Sequence, residues 1–517
     1  MKKYFNVAGP CNEKSHYMVP VLDRYKEIYG IVEQGHYFVI HAARQTGKTT
    51  LIKALVNYYN AAGDYYALYC SLESVEVFGE PKEGIPEILA NIQSELKYSK
   101  LPNKDSFGVN QNSTNVSALI KNSLRDYCAL LDKPLIIFID EIDGLQDGTL
   151  VTFLRQLRDG YISKPEVPFV HSIALVGMRN IRDYKSKVRE DRATLGSASP
   201  FNIISDALTI RNFSVEDIEN LYAQHTEATG QVFEKEVVEK VFDQTDGQPW
   251  LVNAIGREIT QKILENDNTK RITVDLVDQA VQNIILRRET HIDSLLDKLK
   301  EPRVQKIVES IILGRTNDVN ILDNDTRYCL DLGLIKLIKG EIFPANRLYG
   351  EVIIRTLSYN TQFQLIQKVK NNWIDDAGNI DINGLLKNFQ QFWRENSDIW
   401  MEKYEYKEAA PHLILQAFLQ RIINGGGEIL REYASGRERM DLCVIYAGKK
   451  YVIELKVMYS KSVIKDGLEQ ISSYLSRIGE NIGWLVIFDR SNAKSWEDKI
   501  YWQSESVNDK IIYVVGC

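Results

Sequence analysis

The sequence predicts an α/β protein with two separate sheets joined by helical segments. Continuous apolar runs, typical of buried parallel strands, alternate with helical patterns over about the first 212 residues. Helical periodicity alone follows between about Val215 and Leu295, and strand-like runs return after about Met401. We therefore expect a parallel sheet covered by helices on both faces, a helical lid, and a small C-terminal α/β domain.

The length of 517 residues is too great for one hydrophobic core and leaves room for three or four domains of roughly 100–200 residues. A winged-helix domain is inferred from two short helices, two β-rich arms flanking Lys339 and Gly340, and a last helix. Such a domain can place a helix in the major groove of DNA, but it serves equally as a packing module. The predicted domains are a sheet-containing core over 1–212, a helical lid over 213–298, the winged helix over 299–358, a helical linker over 359–400 and the C-terminal α/β domain over 401–517.

The charge balance excludes a general electrostatic attraction to nucleic acid. Basic residues number 63 against 70 acidic ones, a net charge of −7, so any contact with phosphates must be local. The six cysteines lack the spacing of a disulfide framework or a zinc site, which predicts reduced thiols and a cytoplasmic protein. Neither a signal peptide nor an apolar run of about 18 residues is found, so no membrane partner is expected.

A polar loop lies between an apolar run and a helical pattern, and its residues 42–49, AARQTGKT, match G-x-x-x-x-G-K-[ST] except that Ala42 replaces the first glycine. In such a loop, backbone N–H groups surround phosphates, Lys48 reaches the β- and γ-phosphate oxygens, and the Thr49 hydroxyl completes a magnesium shell. A chance Gly-Lys-Thr in a turn is the alternative, but the flanking strand and helix favour the P-loop. ATP and Mg²⁺ are thus the expected cofactors, with these residues at the nucleotide: Ala43, Arg44, Gln45, Thr46, Gly47, Lys48, Thr49 and Thr50.

A later apolar strand ends in two carboxylates, Asp140 and Glu141, in the form of a Walker B motif. We expect Asp140 to hold magnesium through water and Glu141 to orient or deprotonate the attacking water. A buried strand with acidic residues at its end is the alternative. After the next strand, Arg179, Asn180 and Arg182 are candidates for sensing the γ-phosphate, although surface arginines are common at such positions.

These motifs occur in the order found in AAA-like and archaeal-type ATPases, which belong to the signal-transduction (STAND) branch of P-loop ATPases, and the resemblance covers about residues 10–357. The resemblance implies that Pro249, in the lid sequence Asp-Gly-Gln-Pro, lies beside the nucleotide. Gly-Gln-Pro by itself is equally typical of an interhelical turn. The resemblance also places adenine-side contacts near residues 17–20. No arginine finger stands out, so ring assembly is not supported and a homo-oligomer stays open.

A β-hairpin near the C-terminus carries Asp441 on one arm and Glu454 and Lys456 on the other. Residues two apart on a strand share a face, so Glu454 and Lys456 project together, and Asp441 can meet them from the adjacent arm. Converging carboxylates suit Mg²⁺ or Mn²⁺, and Lys456 can then position water for phosphodiester hydrolysis. Ordinary cross-strand ion pairing is the alternative.

This arrangement resembles the PD-(D/E)xK nuclease superfamily, the restriction-endonuclease-like fold, over the predicted C-terminal domain. The resemblance implies that Asp441 and Glu454 are metal ligands and that Lys456 is the catalytic lysine. It also assigns Gln470 to a glutamine-tyrosine motif with Tyr474, which lies four residues on and therefore on the same helix face.

The leading hypothesis is an ATP-hydrolysing protein that gates a metal-dependent DNA nuclease domain. Many related nucleases carry a metal-binding glutamate in the helix before the hairpin, where this chain offers only Glu408 at the edge or the neutral Gln416. This departure supports the second hypothesis, a non-nucleolytic sensor or scaffold whose C-terminal domain only binds nucleic acid or a partner. A helicase-like motor is disfavoured because tandem P-loop cores and translocation motifs are missing from the sequence.

Overall fold

The structure is a computed structural model, and it describes residues 3–108, 116–178, 203–287, 290–312, 320, 322–366, 373, 379–403, 410–423, 428–435, 438–458, 462–489, 491 and 494–517. Two compact units divide the chain: the first comprises Met1–His291, Ile321–Leu337 and Ala345–Leu348, and the second comprises Ile292–Asn320, Ile338–Pro344 and Tyr349–Cys517. No helix within the described residues has both the length and the apolar composition that crossing a lipid bilayer requires.

A parallel sheet of five strands forms the centre of the first unit. The strands are β1 (Tyr37–His41), β2 (Tyr66–Ser71), β3 (Leu135–Asp140), β4 (Ser172–Gly177) and β5 (Ile204–Thr209). Their order in the sheet is β2-β3-β4-β1-β5, and every neighbouring pair is parallel. The predicted α/β class and parallel sheet are confirmed. Because the strands are parallel, the carboxyl ends of β1, β3 and β4 lie at one edge of the sheet.

Helices cover both faces of this sheet. They are α1 (Glu27–Glu33), α2 (Lys48–Ala62), α3 (Pro81–Tyr98), α4 (Leu119–Cys128) and α5 (Asp147–Ser163), with 3₁₀ turns at Leu22–Tyr25, Glu73–Val75, Lys104–Ser106 and Ile142–Gly144. Helices α1 and α2 pack with Phe38 and Ile40 on one face, and α3, α4 and α5 pack with Tyr37 and Val39 on the other. Burial of both faces explains why the strands read as unbroken apolar runs.

The described residues that follow β5 in the chain are largely helical. Their helices are α6 (Val215–Thr229), α7 (Lys235–Thr245), α8 (Pro249–Arg257), a π-helical continuation at Glu258–Ile263, α9 (Val274–Arg287) and α10 (Thr290–Lys298). The start of α6 is fixed by a capping box, in which the Ser214 hydroxyl accepts from the Asp217 amide at 3.1 Å and the Asp217 carboxylate accepts from the Ser214 amide at 3.0 Å.

The next elements in the chain are α11 (Pro302–Ile312), α12 (Asn324–Asp331), β6 (Ile335–Ile338), β7 (Glu341–Pro344) and α13 (Arg347–Ile366). Strands β6 and β7 form a two-stranded sheet. Lys339 and Gly340 at its turn have φ values of 52° and 90°, a left-handed pair typical of tight hairpins.

A mixed sheet of six strands forms the centre of the second unit. Its strands are β8 (Glu428–Ser435), β9 (Glu438–Tyr446), β10 (Lys449–Val457), β11 (Ile482–Phe488), β12 (Trp502–Val507) and β13 (Lys510–Gly516). The helices in this part of the chain are α14 (Ile382–Lys403), α15 (Ala410–Ile423), α16 (Ser462–Ile478) and α17 (Trp496–Lys499). The sheet order is β12-β13-β11-β10-β9-β8. Strands β8, β9 and β10 form an antiparallel meander, and α16 then crosses over to β11, which is parallel to β10. Ile471 and Leu475 of α16 pack against Leu485 and Ile487 on one face.

Helix α14 covers the other face of this sheet near the end of β11. The ring centroids of Phe389 and Trp393 lie 6.1 Å and 5.1 Å from that of Phe488. The Gln390 Nε2 donates to the Gly516 carbonyl at 2.6 Å. The helix is therefore part of the packed second unit.

Candidate functional site

The loop between β1 and α2 has the backbone of a phosphate-binding turn. Gln45 and Gly47 have φ values of 58° and 95°, in the left-handed region. A Cβ atom on Gly47 would meet no atom within 4 Å, so conformation and not crowding favours glycine there. Helix α2 begins immediately after Gly47, which directs its free N–H groups toward the loop, an arrangement that attracts anions.

The Lys48 side chain is folded into this loop. Its Nζ donates to the Ala42 carbonyl at 2.8 Å and to the Ala43 carbonyl at 2.9 Å. Burial lowers the pKa of Lys48, while the nearby carboxylates of Glu141, Asp143 and Asp140 oppose that shift. A buried cation at the beginning of a helix has the chemistry required to bind phosphate oxygens.

The Asp140 carboxylate at the end of β3 accepts three hydrogen bonds. Its Oδ2 accepts from the Thr49 hydroxyl at 2.9 Å and from the Tyr69 hydroxyl at 3.3 Å, and its Oδ1 accepts from the Glu141 amide at 3.0 Å. The structure therefore brings together Thr49 and Asp140, the two predicted metal ligands of this domain. The contact of Tyr69 with Asp140 was not predicted from the sequence, because it depends on the pairing of β2 with β3.

The Thr49 hydroxyl and the Asp140 carboxylate fit a magnesium ion. Mg²⁺ prefers oxygen ligands, retains several waters, and is usually bound by one or two side chains together with substrate phosphates. Among the residues that the structure describes, no group of three or more His, Cys, Asp or Glu side chains could hold a metal ion. The Thr49 hydroxyl and the Asp140 carboxylate are two such oxygen donors, and nucleotide phosphates would supply further ligands.

Glu141 lies directly beyond the end of β3, in a strained backbone conformation. Its φ of 57° is in the left-handed region, which is sparsely populated by residues other than glycine and is enriched at functional sites. Burial and the neighbouring Asp140 raise the pKa of Glu141, and Lys48 opposes that shift. A carboxylate with a raised pKa near Lys48 and Asp140 is suited to accept a proton from water.

Asp143 links the end of β3 to the end of β4. Its carboxylate accepts a hydrogen bond from the Met178 amide, and a Cβ atom on Gly177 would lie 2.7 Å from its Oδ1. Sequence reasoning missed Asp143, although it is the third acid of the Asp-Glu-Ile-Asp run. The candidate sensor residues Arg179, Asn180 and Arg182 lie outside the described residues.

The turn before α8 reaches the phosphate-binding loop. The Gln248 Oε1 caps α8 by accepting from the Leu251 amide at 2.7 Å, and its Nε2 lies 3.5 Å from the Gln45 carbonyl. Pro249 is the buried first residue of α8, so it follows a residue that contacts the loop. Gly247 has a φ of 71°, and a Cβ atom there would lie 1.9 Å from the Phe213 carbonyl oxygen, which requires glycine.

The N-terminal residues, which include the predicted adenine-side segment 17–20, form hydrogen bonds with both α2 and α6. The Cys11 amide donates to the Thr50 hydroxyl at 3.0 Å. The Gln224 side chain accepts from the Met18 amide at 3.1 Å and donates to the Met18 carbonyl at 2.8 Å. Cys11 therefore lies beside the first turn of α2, whereas Met18 of the predicted segment lies beside α6.

In the second unit, strand β10 of the hairpin carries an ion pair whose carboxylate is fully buried. Glu454 is 0% exposed, and its Oε1 lies 2.8 Å from the Lys456 Nζ. The last paired positions of the two strands are Leu442 and Ile453, so Asp441 and Glu454 are the next positions along the antiparallel register. The side chain of Asp441 lies outside the described part of the structure.

Helix α16 packs closely above this ion pair. A Cβ atom on Gly467 would lie 2.8 Å from a Leu485 methyl group and 3.5 Å from the Lys456 Cγ. The Gln470 Nε2 donates to the Tyr474 hydroxyl at 2.6 Å, so the predicted glutamine-tyrosine pair is hydrogen-bonded. Tyr474 is buried in the core that α16 forms with the sheet.

Two residues near the helix before the hairpin were considered in place of the metal-binding glutamate of related nucleases. Gln416 is a buried residue of α15 with 6% exposure. Glu408 lies outside the described residues.

Comparison with protein families identifies the first part of the chain. The family described as AAA-like domain matches residues 8–354, about two thirds of the sequence. The chain belongs to the AAA-like domain family. The AAA-like domain contains the loop, the carboxylates of β3 and the α8 turn, and it is an ATPase-like P-loop domain that indicates binding of a nucleotide and, as is usual for this fold, Mg²⁺. The match ends before β8, so the six-stranded sheet lies outside it.

Solved structures similar to the chain include three P-loop ATPases. The Walker-type ATPase of Pyrococcus abyssi is 12% identical, with a TM-score of 0.48, and the match covers 68% of this chain and 99% of that one. Cdc6p from Pyrobaculum aerophilum is 13% identical, with a TM-score of 0.36 and coverage of 66% and 96%. The Holliday junction branch migration motor RuvB of Thermotoga maritima is 14% identical, with a TM-score of 0.33 and coverage of 64% and 93%. No curated protein matches the chain.

Proposed function

We propose that the AAA-like domain binds and hydrolyses ATP and that its nucleotide state controls a metal-dependent DNA nuclease site in the C-terminal domain. For ATP hydrolysis, the supporting contacts are those of Lys48 with the loop carbonyls and of Thr49 with Asp140. When bound, Mg²⁺ supplies charge neutralisation at the β- and γ-phosphates. Thr49 and Asp140 would hold the ion, Lys48 would bind phosphate oxygens, and Glu141 would take the proton of the attacking water.

The nuclease part rests on the ion pair of Glu454 and Lys456. Burying a carboxylate is costly unless a partner compensates its charge, and a hairpin built only for stability has little need of a fully buried glutamate. The antiparallel meander, the crossover helix and the parallel strand that follows it agree with a PD-(D/E)xK core. In that assignment Asp441 and Glu454 hold Mg²⁺ or Mn²⁺, Lys456 positions water, and Gln470 contacts the substrate side.

Control by nucleotide requires that ATP bind two arrangements of the protein unequally, and the γ-phosphate with its metal ion is the contact that ADP lacks. In this proposal a winged-helix domain over 299–358 binds the DNA that the C-terminal domain over 401–517 cleaves. The hairpin of β6 and β7 supplies the wing, with the exposed Lys339 at its turn as local positive charge.

One observation favours a second candidate function, a sensor or scaffold without nuclease activity. The residue of α15 that stands where related nucleases place a metal-binding glutamate is the neutral Gln416, and it is buried. An amide oxygen is a weaker ligand for a divalent ion than a carboxylate. In this alternative the C-terminal domain binds nucleic acid or a partner without cutting it.

Cleavage of linear, circular and single-stranded DNA, measured with Mg²⁺ or Mn²⁺ and with ATP, a non-hydrolysable analogue or no nucleotide, tests the proposal. We expect cleavage that changes with nucleotide and is lost in Lys456→Ala. The matched control is Lys449→Ala, which removes an exposed lysine from the same strand. No cleavage under any condition, with ATP turnover preserved, would support the sensor. Cleavage that persists in Lys456→Ala would show that the assigned lysine is wrong.

A further inference from the structure

Tyr69 is a residue of the AAA-like domain that neither the P-loop nor the Walker B pattern contains. It lies on β2, whose pairing with β3 places Tyr69 opposite Phe138, two positions before the pair of Ser71 and Asp140. Its half-buried ring packs against the core formed with α2. The length of the tyrosine side chain carries its hydroxyl to 3.3 Å from the Asp140 Oδ2.

Helix α2 also contacts the ring through the side chain of Lys53. The Lys53 Nζ lies 5.2 Å from the centroid of the Tyr69 ring, a cation–π contact from the helix that begins with Lys48 and Thr49. Tyr69 therefore connects the helix of the phosphate-binding loop to the carboxylate at the end of β3, and its direction is fixed by the sheet core below and by Lys53 beside it.

The hydrogen bonds at Asp140 define what the tyrosine contributes. A carboxylate has about four lone-pair positions, and three are taken by the Thr49 hydroxyl, the Tyr69 hydroxyl and the Glu141 amide. Two donors on the same Oδ2 prevent rotation of the carboxylate plane. Without Tyr69, Thr49 would be the only side-chain donor on that oxygen among the described residues.

We propose that Tyr69 is a positioning residue for the divalent ion of the ATP site, because its hydroxyl holds Asp140 in the orientation needed to receive the ion. This inference rests on the proposed binding of metal and ATP. Tyr69 does not contact the nucleotide or the metal in this role. Groups that orient a metal ligand through hydrogen bonds commonly change metal affinity by about 10- to 100-fold when they are removed.

The test uses Tyr69→Phe, which removes only the hydroxyl, and Tyr66→Phe as its matched control. Tyr66 lies on the same strand, but its hydroxyl donates to Asp132 at 2.8 Å instead of to Asp140. Binding of Mn²⁺ to the full-length protein is measured by the paramagnetic resonance of the free ion, in the presence of a non-hydrolysable ATP analogue. Binding of the same analogue without metal is measured in parallel, and so is the temperature of unfolding.

We expect Tyr69→Phe to weaken Mn²⁺ binding by about tenfold, with metal-free binding of the analogue unchanged and with Tyr66→Phe equal to the parent. Equal Mn²⁺ affinity in Tyr69→Phe and the parent overturns the inference while leaving the proposed ATP site intact. A parallel loss of metal-free nucleotide binding and of thermal stability also overturns it, since Tyr69 is then structural. If the parent binds no analogue with or without Mn²⁺, the proposed function itself fails and the inference fails with it.

Discussion

The contact between Gly177 and Asp143 makes the end of β4 sensitive to a single methyl group. In Gly177→Ala, the added Cβ lies 2.7 Å and 2.8 Å from the two oxygens of the Asp143 carboxylate. These distances are shorter than van der Waals contact, so the carboxylate must move. The hydrogen bond that it accepts from the Met178 amide is then lost.

The size of the effect follows from the kind of bond. A hydrogen bond to a charged group contributes about 1.5–3 kcal/mol, so local opening at the end of β4 should become roughly 10- to 150-fold more frequent. Hydrogen exchange followed by mass spectrometry on peptides that contain β4 and Met178 measures this opening directly. Exchange in α1, far along the chain, should not change.

A suitable control is Gly30→Ala in α1. A Cβ atom on Gly30 would meet no atom within 4 Å, and alanine is favoured over glycine in a helix interior by about 1 kcal/mol. Gly30→Ala should therefore leave the exchange of β4 unchanged and slow the exchange of α1. The reasoning is refuted if Gly177→Ala protects the β4 peptides as well as the parent does.

Three further perturbations test other parts of the AAA-like domain. Glu141→Gln should bind ATP normally and turn it over about 10²- to 10⁴-fold more slowly. Because burial and Asp140 raise the pKa of Glu141 above its ordinary value, parental turnover should fall as the pH drops through this raised pKa. A steady-state pH profile of the variant that keeps this acidic limb would contradict the assignment. Thr49→Val should weaken metal-dependent nucleotide binding by about 10- to 100-fold. The control Thr229→Val, which removes a hydroxyl bonded to the His225 carbonyl in α6, should not weaken it. If calorimetric titrations show the same loss of nucleotide affinity in both variants, the role assigned to Thr49 is wrong. His291 is stacked on Trp250 with ring centroids 4.6 Å apart, and burial lowers its pKa from 6.5 to about 4. Because the folded state disfavours protonation of His291, the free energy of unfolding should decrease by up to about 3 kcal/mol as the pH falls from 6.5 to 4. His291→Phe should reduce that loss in urea titrations at several pH values, and an unchanged pH dependence would mean that another group titrates.

The phosphate-binding loop could be predicted from sequence because its chemistry is local. Lys48 and Thr49 owe their positions to the strand, turn and helix that immediately surround them, and the pattern of residue types reports that geometry directly. The parallel sheet was predictable for a similar reason, since burial on both faces leaves apolar runs without alternation. The roles assigned to the individual site residues stay predictions.

Contacts between distant elements could not be predicted in this way. Tyr69 reaches Asp140 only because β2 and β3 are neighbours in the sheet. The hydrophobic periodicity of a single strand does not predict which strands are its neighbours. The contact of Gln248 with Gln45 depends on how the turn before α8 folds back to the loop, across about two hundred residues of sequence.

The side-chain arrangement of the hairpin near the C-terminus could be predicted only in part. Alternation on one strand was enough to place Glu454 and Lys456 on one side, and the structure joins them in an ion pair. The complete burial of Glu454 could not be foreseen, because it depends on the approach of α16 through Gly467 and on the neighbouring strand.

Helix α14 decides where the C-terminal domain can be cut from the rest of the chain. A fragment that begins at residue 401 lacks Phe389, Gln390 and Trp393, so it presents Phe488 and the adjoining sheet face to water and leaves the Gly516 carbonyl without its side-chain donor. Exposed apolar surface of this kind promotes aggregation. A fragment that begins at residue 379 retains the whole helix, so biochemical dissection of the domain, and any natural proteolytic release of it, should respect that earlier boundary.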